Sequence, residues 1–452
     1  MKEKLKKLLS VLFVFPFVIG SIGYLISGEK LTNSLYASFA LYFTNPISDE
    51  YNIWIDIARW MAPFAAATAI LSIFENVWRN IIWWFKCLSG DSAAVYNESG
   101  IHIVFDKKTK AVYPGKKIKK AAKSQIIMLD SDVESLKFYE DYKAVMGRKF
   151  VYIGLREIDY GLIKENSKVR FFDINGAISR LLWKQIQLWN TKKENVSVII
   201  WGEGCLSENM LCYGLLLNIY SNKQNISYHL IGNTSFSIKH PAIPLMNGDK
   251  IITHVEEDAD TWNIVRESDV IIITEDVSAA KLQAIAVNGK NAKIYYYSHM
   301  SGDVGELICT RNLAAFGRDE EIFTDENIRQ EKLIEEAKQL NSEYAQKYNG
   351  EAEWDKLTGF LKWSNISSAD FKHVLIDILK NNPEVGIDEL AELEHIRWCR
   401  FHFLNYWTYG IPDNGSNKDT KKKIHKCLCP YSELSSVDKD KNRATVEEIR
   451  KQ

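Results

Sequence analysis

The chain lacks an excess of charge of either sign. Lys and Arg number 57 and Asp and Glu 58, a formal net of −1 over 452 residues. There is therefore no global basic field to gather nucleic acid, and nucleic acid is not expected as a partner. Cysteine is sparse, at seven residues with no ladder of spacings. That fits reduced thiols better than a disulfide framework. The tightest group is His425, Cys427 and Cys429 in HKCLCP. It has no second CxxC or HxxxH to complete four ligands, so no metal is expected. A Ser/His/Asp set, a Cys/His pair, paired carboxylates and a Tyr-x-x-x-Lys pair are all missing. No catalytic residue is assigned, and no enzyme is expected.

Long apolar runs are present, and they come first. KKLLSVLFVFPFVIGSIGYLIS follows Lys2, Lys4, Lys6 and Lys7 and has about 20 apolar residues, enough for a bilayer core of ~30 Å. No A-x-A cleavage site follows it. A second run, Ile53 to Trp78, is uncharged from Trp60 to Phe74 and is followed by Arg79 and Lys86. Basic residues outside both runs predict two transmembrane helices in the inner (cell) membrane, with both termini cytoplasmic and the lipid bilayer as a partner. Between them, residues 31–48 are amphipathic and aromatic and fit a re-entrant or an interfacial helix. Asn45 ends that segment. Asp56 and Arg59 are three apart and Glu75 and Arg79 four apart, so each pair can meet on one helix face. Charge at membrane depth marks Asp56, Arg59 and Glu75 as membrane or pore candidates, and the close of the 31–48 segment adds Asn45.

Residues 91–320 alternate strand and helix signals, which predicts an α/β fold with tandem Rossmann-like parallel sheets over 91–195 and 196–320. In the first half, apolar runs at 125–132, 149–155 and 169–174 read as strands, and AAVYNESGIHIVF as a strand, a turn and a second run. NESG is its nearest approach to a phosphate loop, so this half looks degenerate. The second half opens with VSVIIWGEGCLSENMLCYGLLL, a strand, a glycine turn and a helix. Gly202, Gly204 and Ser207 sit where a dinucleotide fold lets its backbone and helix N-terminus approach a pyrophosphate. The next strand, ISYHLIG, ends in Gly232-Asn233, without the acid that would hold a ribose 2′-OH. KIITHV, DVIIITED and AKIYYYS read as three more strands, five in this half. A nucleotide or dinucleotide ligand at Gly202, Gly204 and Ser207 and a turn serving only the fold are both open.

The order of two spans, a half-helix and then this turn resembles two-span potassium channels with TrkA-N/RCK regulatory domains. Those carry a TVGYG-like filter, whereas the corresponding place here reads YFTNPIS, with no glycine. The resemblance implies a pore or a membrane anchor, and an assembly of several copies.

Residues 321–452 read as a charged helical connector followed by a mainly α module. Ser364-Asn365 looks like a helix stop, and Asp388 like the cap of the next helix. AELEHIRWCRFHFLNYWTYG (391–410) crowds an acid, arginines and aromatics together, and Lys421, His425, Tyr431 and Arg443 form a second basic and aromatic cluster. LAELEHIRWC, then YWTYG, Asp413, KKIHKCLCPYSEL and DKNRATVEEI resemble the ryanodine-receptor repeat, or Ryr, domain. That family runs approximately H-x-x-W, GW-x-YG, K-x-H-x-x-L-x-PY-x-x-L. Asn405-Tyr406 here precedes Trp407, where glycine is common.

The resemblance implies sensing of a nucleotide-derived small molecule. Aromatic faces stack bases and arginine pairs with phosphate, which nominates Glu394, Arg397, Trp398, Trp407, Tyr409, Lys421, His425, Tyr431 and Arg443. Together these readings point to a ligand-gated membrane effector, a homo-oligomer serving antiphage defence. The alternatives are a housekeeping ion channel or potassium-transport regulator, and a membrane-tethered NAD-dependent enzyme.

Overall fold

The computed structural model describes residues 2–47, 52–97, 103–106, 109–115, 117–157, 168–191, 193–255, 257–298, 312–348, 350–413 and 415–450. The chain divides into two compact units, 1–90 and 91–452.

The first unit has three helices: α1 (Lys2–Ile26), α2 (Leu31–Ala40) and α3 (Ile53–Ser89). Small residues let them approach closely. A Cβ on Gly23 would lie 2.8 Å from the Ile55 side chain, and one on Gly20 3.2 Å from Ala58. Asn52 caps α3 by accepting from the amides of Trp54 and Ile55, and its own amide donates to Gly23 O at 2.7 Å. Tyr24 is fully buried among them, with the Arg59 guanidinium at its hydroxyl.

Among the described residues, no helix is long and apolar enough to cross a membrane. This corrects the expected pair of transmembrane helices and the inner-membrane location that rested on them. The start of the first expected run, up to Leu12, has side chains outside the described residues. In α3 the charge-free stretch between Arg59 and Glu75 rises only about 22 Å. Residues 31–44 form α2 and a short 3-10 turn (Leu41–Phe43), closed by Thr44 in the left-handed region.

The second unit begins with two all-parallel sheets. Sheet one holds β1 (Asp91–Asn97), β2 (Thr109–Pro114), β3 (Ser124–Met128), β4 (Phe150–Leu155) and β5 (Val169–Asp173), in the order β2-β1-β3-β4-β5. Sheet two holds β6 (Asn195–Trp201), β7 (Asn225–Ile231), β8 (Lys250–His254), β9 (Val270–Ile273), β10 (Lys293–Tyr297) and β11 (Leu313–Phe316). Its order, β8-β7-β6-β9-β10-β11, is the 3-2-1-4-5-6 winding of a Rossmann fold, whereas sheet one has the 2-1-3-4-5 order of flavodoxin-like sheets. Strands covered on both faces become continuous apolar runs, as in β9 and in β6 from Val198 to Trp201.

Two details depart from the sequence reading. The strand beside β1 is Thr109–Pro114, and Val104 of the expected run makes only a single bridge to Thr324. The candidate turn NESG falls at 97–100, of which 98–100 lie outside the described residues. The sixth strand of sheet two, β11, was not anticipated.

Helices α4 (Asp132–Met146), α5 (Ile174–Ile186), α6 (Gly204–Leu217), α7 (Ser235–Lys239), α8 (Ala259–Glu267) and α9 (Ala279–Asn288) connect the strands. The sheets meet through α5 and α6. A Cβ on Gly214 would lie 2.9 Å from the Trp183 ring, and Trp183 Nε1 donates to Met210 O at 2.8 Å. After α10 (Asp319–Ile322) and α11 (Asp325–Arg329) come α12 (Glu331–Tyr348), α13 (Gly359–Asn381), α14 (Ile387–Leu404) and α15 (Ser436–Arg450). Between α14 and α15, short strands β12 (Thr408–Tyr409), β13 (Lys418–Asp419) and β14 (Ile424–His425) form a small sheet.

Helix α13 runs unbroken through Ser364-Asn365, because the Asn365 amide donates back to Leu361 O at 3.0 Å instead of ending the helix. The cap position of α14 is Gly386, and Asp388 in its first turn instead receives the Tyr431 hydroxyl and the Arg443 guanidinium.

Candidate ligand-binding site

Helix α14 is buried on nearly every side from Leu390 to Phe403. Its core positions Leu390, Leu393 and Ile396 join the cluster formed with the two sheets. One face instead borders a cavity of about 1030 Å³, enclosed by α12, α13, α15 and the β12–β14 loops.

At the cavity wall, Glu394 and Arg397 form a two-point ion pair, with Nε to Oε2 and Nη2 to Oε1 both at 2.8 Å. Arg397 Nη1 donates to Ser367 Oγ at 3.0 Å, and Ser368 Oγ donates to Glu394 Oε1 at 3.1 Å. Arg397 is only 1 % exposed. These bonds leave two of the five guanidinium N–H groups without a protein partner. The pair is thus locked in one geometry, with the Nε–Nη2 edge of the guanidinium taken up by the Glu394 carboxylate.

Aromatic rings continue the wall. Trp398 lies against His402 with centroids 4.0 Å apart and meets His425 edge-on at 5.0 Å. Trp407 stacks on Phe360 at 5.4 Å. The two histidines have opposite hydrogen-bonding roles. His402 Nδ1 donates to Trp398 O at 2.8 Å, leaving Nε2 as an acceptor. His425 Nδ1 accepts from the Cys427 amide at 3.0 Å, leaving Nε2–H as a donor.

Burial holds both rings neutral, His402 down to about 3 and His425 down to about 4, with Lys418 also opposing a charge on His425. At the rim stand the exposed Lys418 and the Lys441–Asp438 pair at 2.8 Å. The cavity therefore combines stacking surfaces, one neutral acceptor, one neutral donor and cations at its edge. No group of three His, Cys, Asp or Glu able to hold a metal occurs among the described residues.

Glu394, Arg397, Trp398, Trp407 and His425 all line this cavity. Tyr409 does not; it borders a second cavity beyond Trp407. Lys421 sits on an exposed turn, its amide bonded to Asp419. Tyr431 and Arg443 meet at Asp388, away from the cavity. His402, Phe360 and Lys418 line it but were not nominated. A signal was available for His402, which lies four residues after Trp398 and eight after Glu394, one helical face.

The Gly202 turn is built differently. Gly202 has φ +131°, and a Cβ there would lie 2.6 Å from Thr274 Oγ1 and 3.2 Å from Glu275. Gly204, with φ +83°, faces open space at the start of α6. Ser207 is fully buried, at the position that packs helix on sheet. Asn233, where an acid would hold a ribose, accepts from Ser235 Oγ and the Phe236 amide. Glu203 and Glu275 flank the turn, a poor setting for a pyrophosphate. Of the other nominated residues, Asn45 and Asp56 are exposed, and the side chain of Glu75 lies outside the described residues.

Residues 370–452 match the family model of the RyR domain. The C-terminal module is a RyR domain. The match takes in the second half of α13 and all of α14 and α15, hence Glu394, Arg397 and both histidines of the cavity. Helix α12 and the first half of α13, which close the cavity on the other side, precede it. Comparison of the chain with curated proteins and with solved structures finds no match.

Proposed function

We propose that the chain is a ligand-responsive sensor whose RyR cavity binds a nucleotide-derived small molecule. One observation carries this reading: two neutral histidines of opposite hydrogen-bonding role sit beside Trp398 and Trp407, next to a buried arginine with N–H groups to spare. A heterocycle with a donor–acceptor edge fits the imidazoles and the stacking faces, and an anionic substituent fits the exposed Lys418 at the rim. The cavity volume lies within the range of small-molecule sites.

The receiver of the signal is the double α/β assembly, because α13 and α14 bond directly to both sheets' layers. Asp370 is held by Lys184 of α5 at 2.9 Å, and Arg400 reaches Leu215 at the end of α6. The 3-2-1-4-5-6 strand order supports kinship of sheet two with TrkA-N/RCK-type domains. Ligand at the Gly202 turn has less support, given the two carboxylates beside it. Self-association is part of the proposal, since the first unit exposes large apolar side chains such as Trp60 and Phe64. The biological setting we propose is antiphage signalling.

The test is a thermal-shift and calorimetric screen of the full chain against mononucleotides, dinucleotides and cyclic nucleotides. Saturable binding that raises the midpoint supports the sensor. The absence of binding by any member of the panel overturns it.

A further inference from the structure

The structure assigns a second ligand site, for a small uncharged planar molecule, at the junction of the RyR domain with sheet two. A cavity of about 690 Å³ opens there, between the segment 239–246 that leads into β8 and the RyR residues Phe403, Tyr406, Trp407 and Tyr409. Its size is that of a small-molecule pocket. Tyr409, one of the aromatics that marks the module in sequence, belongs here and not to the first cavity.

The lining decides the ligand class. Ile243, Pro244, Met246 and Leu428 supply aliphatic walls, and Trp407 and Tyr409 supply ring faces. His240 contributes a ring clamped between Phe236 and Tyr406, each 4.9 Å away, nearly parallel to the latter. Burial lowers its affinity for a proton, so it presents a neutral ring. Lys239, the lining ammonium, is held by Glu208 at 2.7 Å. An anion thus finds no available lysine here, unlike the first cavity, where Lys418 stands at the rim. The other charged group on the lining, Glu433, is solvent-exposed and opposes an anion. Stacking and apolar burial dominate the rest, which select a flat, uncharged ring system.

The mouth is open: Tyr409 is 57 % exposed and Tyr406 48 %. Trp407 lines both cavities, with Phe360 stacked on it from the first. The indole is the shared wall between two sites of different chemistry.

The experiment titrates the full chain with 1-aminoanthracene, a neutral planar probe whose emission rises in apolar surroundings. Saturable binding is expected, weakened about tenfold by Ala242→Trp, which fills the cavity from an exposed position, and by Tyr409→Ala, which removes an exposed ring. Neither change touches a buried core residue, so thermal midpoints should stay at the wild-type value and confirm folding. Absence of saturable binding overturns the assignment. So does binding unchanged in both variants, which would place the probe elsewhere, on the first cavity or on the apolar faces of α1 to α3.

Discussion

Arg400 and Asp249 meet at 2.7 Å with neither side chain exposed to solvent, one from α14 of the RyR domain and the other from the residue before β8. Arg400 also donates to Leu245 O, Leu215 O and Asn247 Oδ1, and Asp249 accepts from the Ile226 amide and Gln224 Nε2. A buried charge pair with its remaining hydrogen bonds satisfied fixes two elements in one register, whereas loss of one partner strands the other. Arg397, three residues earlier, faces the ligand cavity. One helix therefore carries both an arginine that lines the first cavity and an arginine that anchors the domain to sheet two.

Arg400→Met should destabilise the second unit by roughly 3–5 kcal/mol, because Asp249 is left buried without its counter-charge. Arg400→Lys should fail to rescue it, since an ammonium cannot serve four acceptors arranged around a planar fork. Adding Asp249→Asn to Arg400→Met should recover part of the loss. Urea midpoints of the four proteins check this. A wild-type midpoint for Arg400→Met would mean that the strut is dispensable.

Ligand binding at the first cavity should divide between charge and stacking. Lys418 is exposed, so Lys418→Ala should leave the thermal midpoint nearly unchanged. It should still weaken a nucleoside monophosphate by about five- to tenfold while sparing the parent nucleoside. Trp398→Ala should weaken both. Calorimetry with matched nucleoside and nucleotide pairs distinguishes these outcomes. Equal loss for both by Lys418→Ala would contradict the placement of the anion at the rim.

Much of this arrangement was written in the sequence, for identifiable reasons. Strand β9 and the Val198–Trp201 part of β6 are covered on both faces, so they read as unbroken apolar runs, and the glycine turn after β6 marks the start of a Rossmann winding. Strand β11, Leu-Ala-Ala-Phe, is too short and too small in side chain to stand out, and β2 mixes Lys110 with apolar residues. In the RyR domain, Trp398, Trp407 and Glu394 were legible because their types are unusual together on a helix entry. The separation of Arg397 from Arg400 was not legible, because partners such as Ser367 and Asp249 lie far away in the chain. The meeting of Tyr431 and Arg443 at Asp388 was not legible for the same reason, since only tertiary packing brings them together. The apolar N-terminal runs exceeded what the helices supply, because Arg59 and Glu75 bound the charge-free part of α3 at less than a membrane's thickness.

Acid should weaken the fold through the cavity histidines. His402 is held down to about 3 and His425 to about 4, both by burial, against an ordinary value of 6.5. The unfolded chain binds these protons first, so their contribution is complete above about pH 6.5 and falls as the pH drops from there toward 4. Asp173 acts in the opposite sense. Burial raises it to about 7, so the folded state holds its proton between roughly pH 4 and 7 and gains stability as the pH falls through that window. Thermal midpoints between pH 8 and 4.5 should therefore fall more steeply on acidification in Asp173→Asn than in the wild type, and less steeply in His402→Phe. Parallel profiles for all three proteins would mean that neither group is coupled to folding.

The two glycines of the turn after β6 should respond differently to the same small change. Gly202 has φ +131° and no room for a Cβ, with Thr274 Oγ1 only 2.6 Å from where it would stand. Gly202→Ala must both strain the backbone and push Thr274, the residue after β9, away from Trp201 O, which its hydroxyl bonds at 3.1 Å. A loss of about 2–4 kcal/mol is expected. Gly204 shares the left-handed region at φ +83° but faces open space, so Gly204→Ala should cost only about 1 kcal/mol, the backbone contribution alone. Were a pyrophosphate to sit over this turn, Gly204→Ala would cost ligand affinity far beyond its effect on folding. Chemical denaturation of both variants, paired with NAD titration of Gly204→Ala and the wild type, separates a turn kept for the fold from one kept for a nucleotide. A Gly202→Ala protein as stable as the wild type would contradict the close packing of the turn against Thr274.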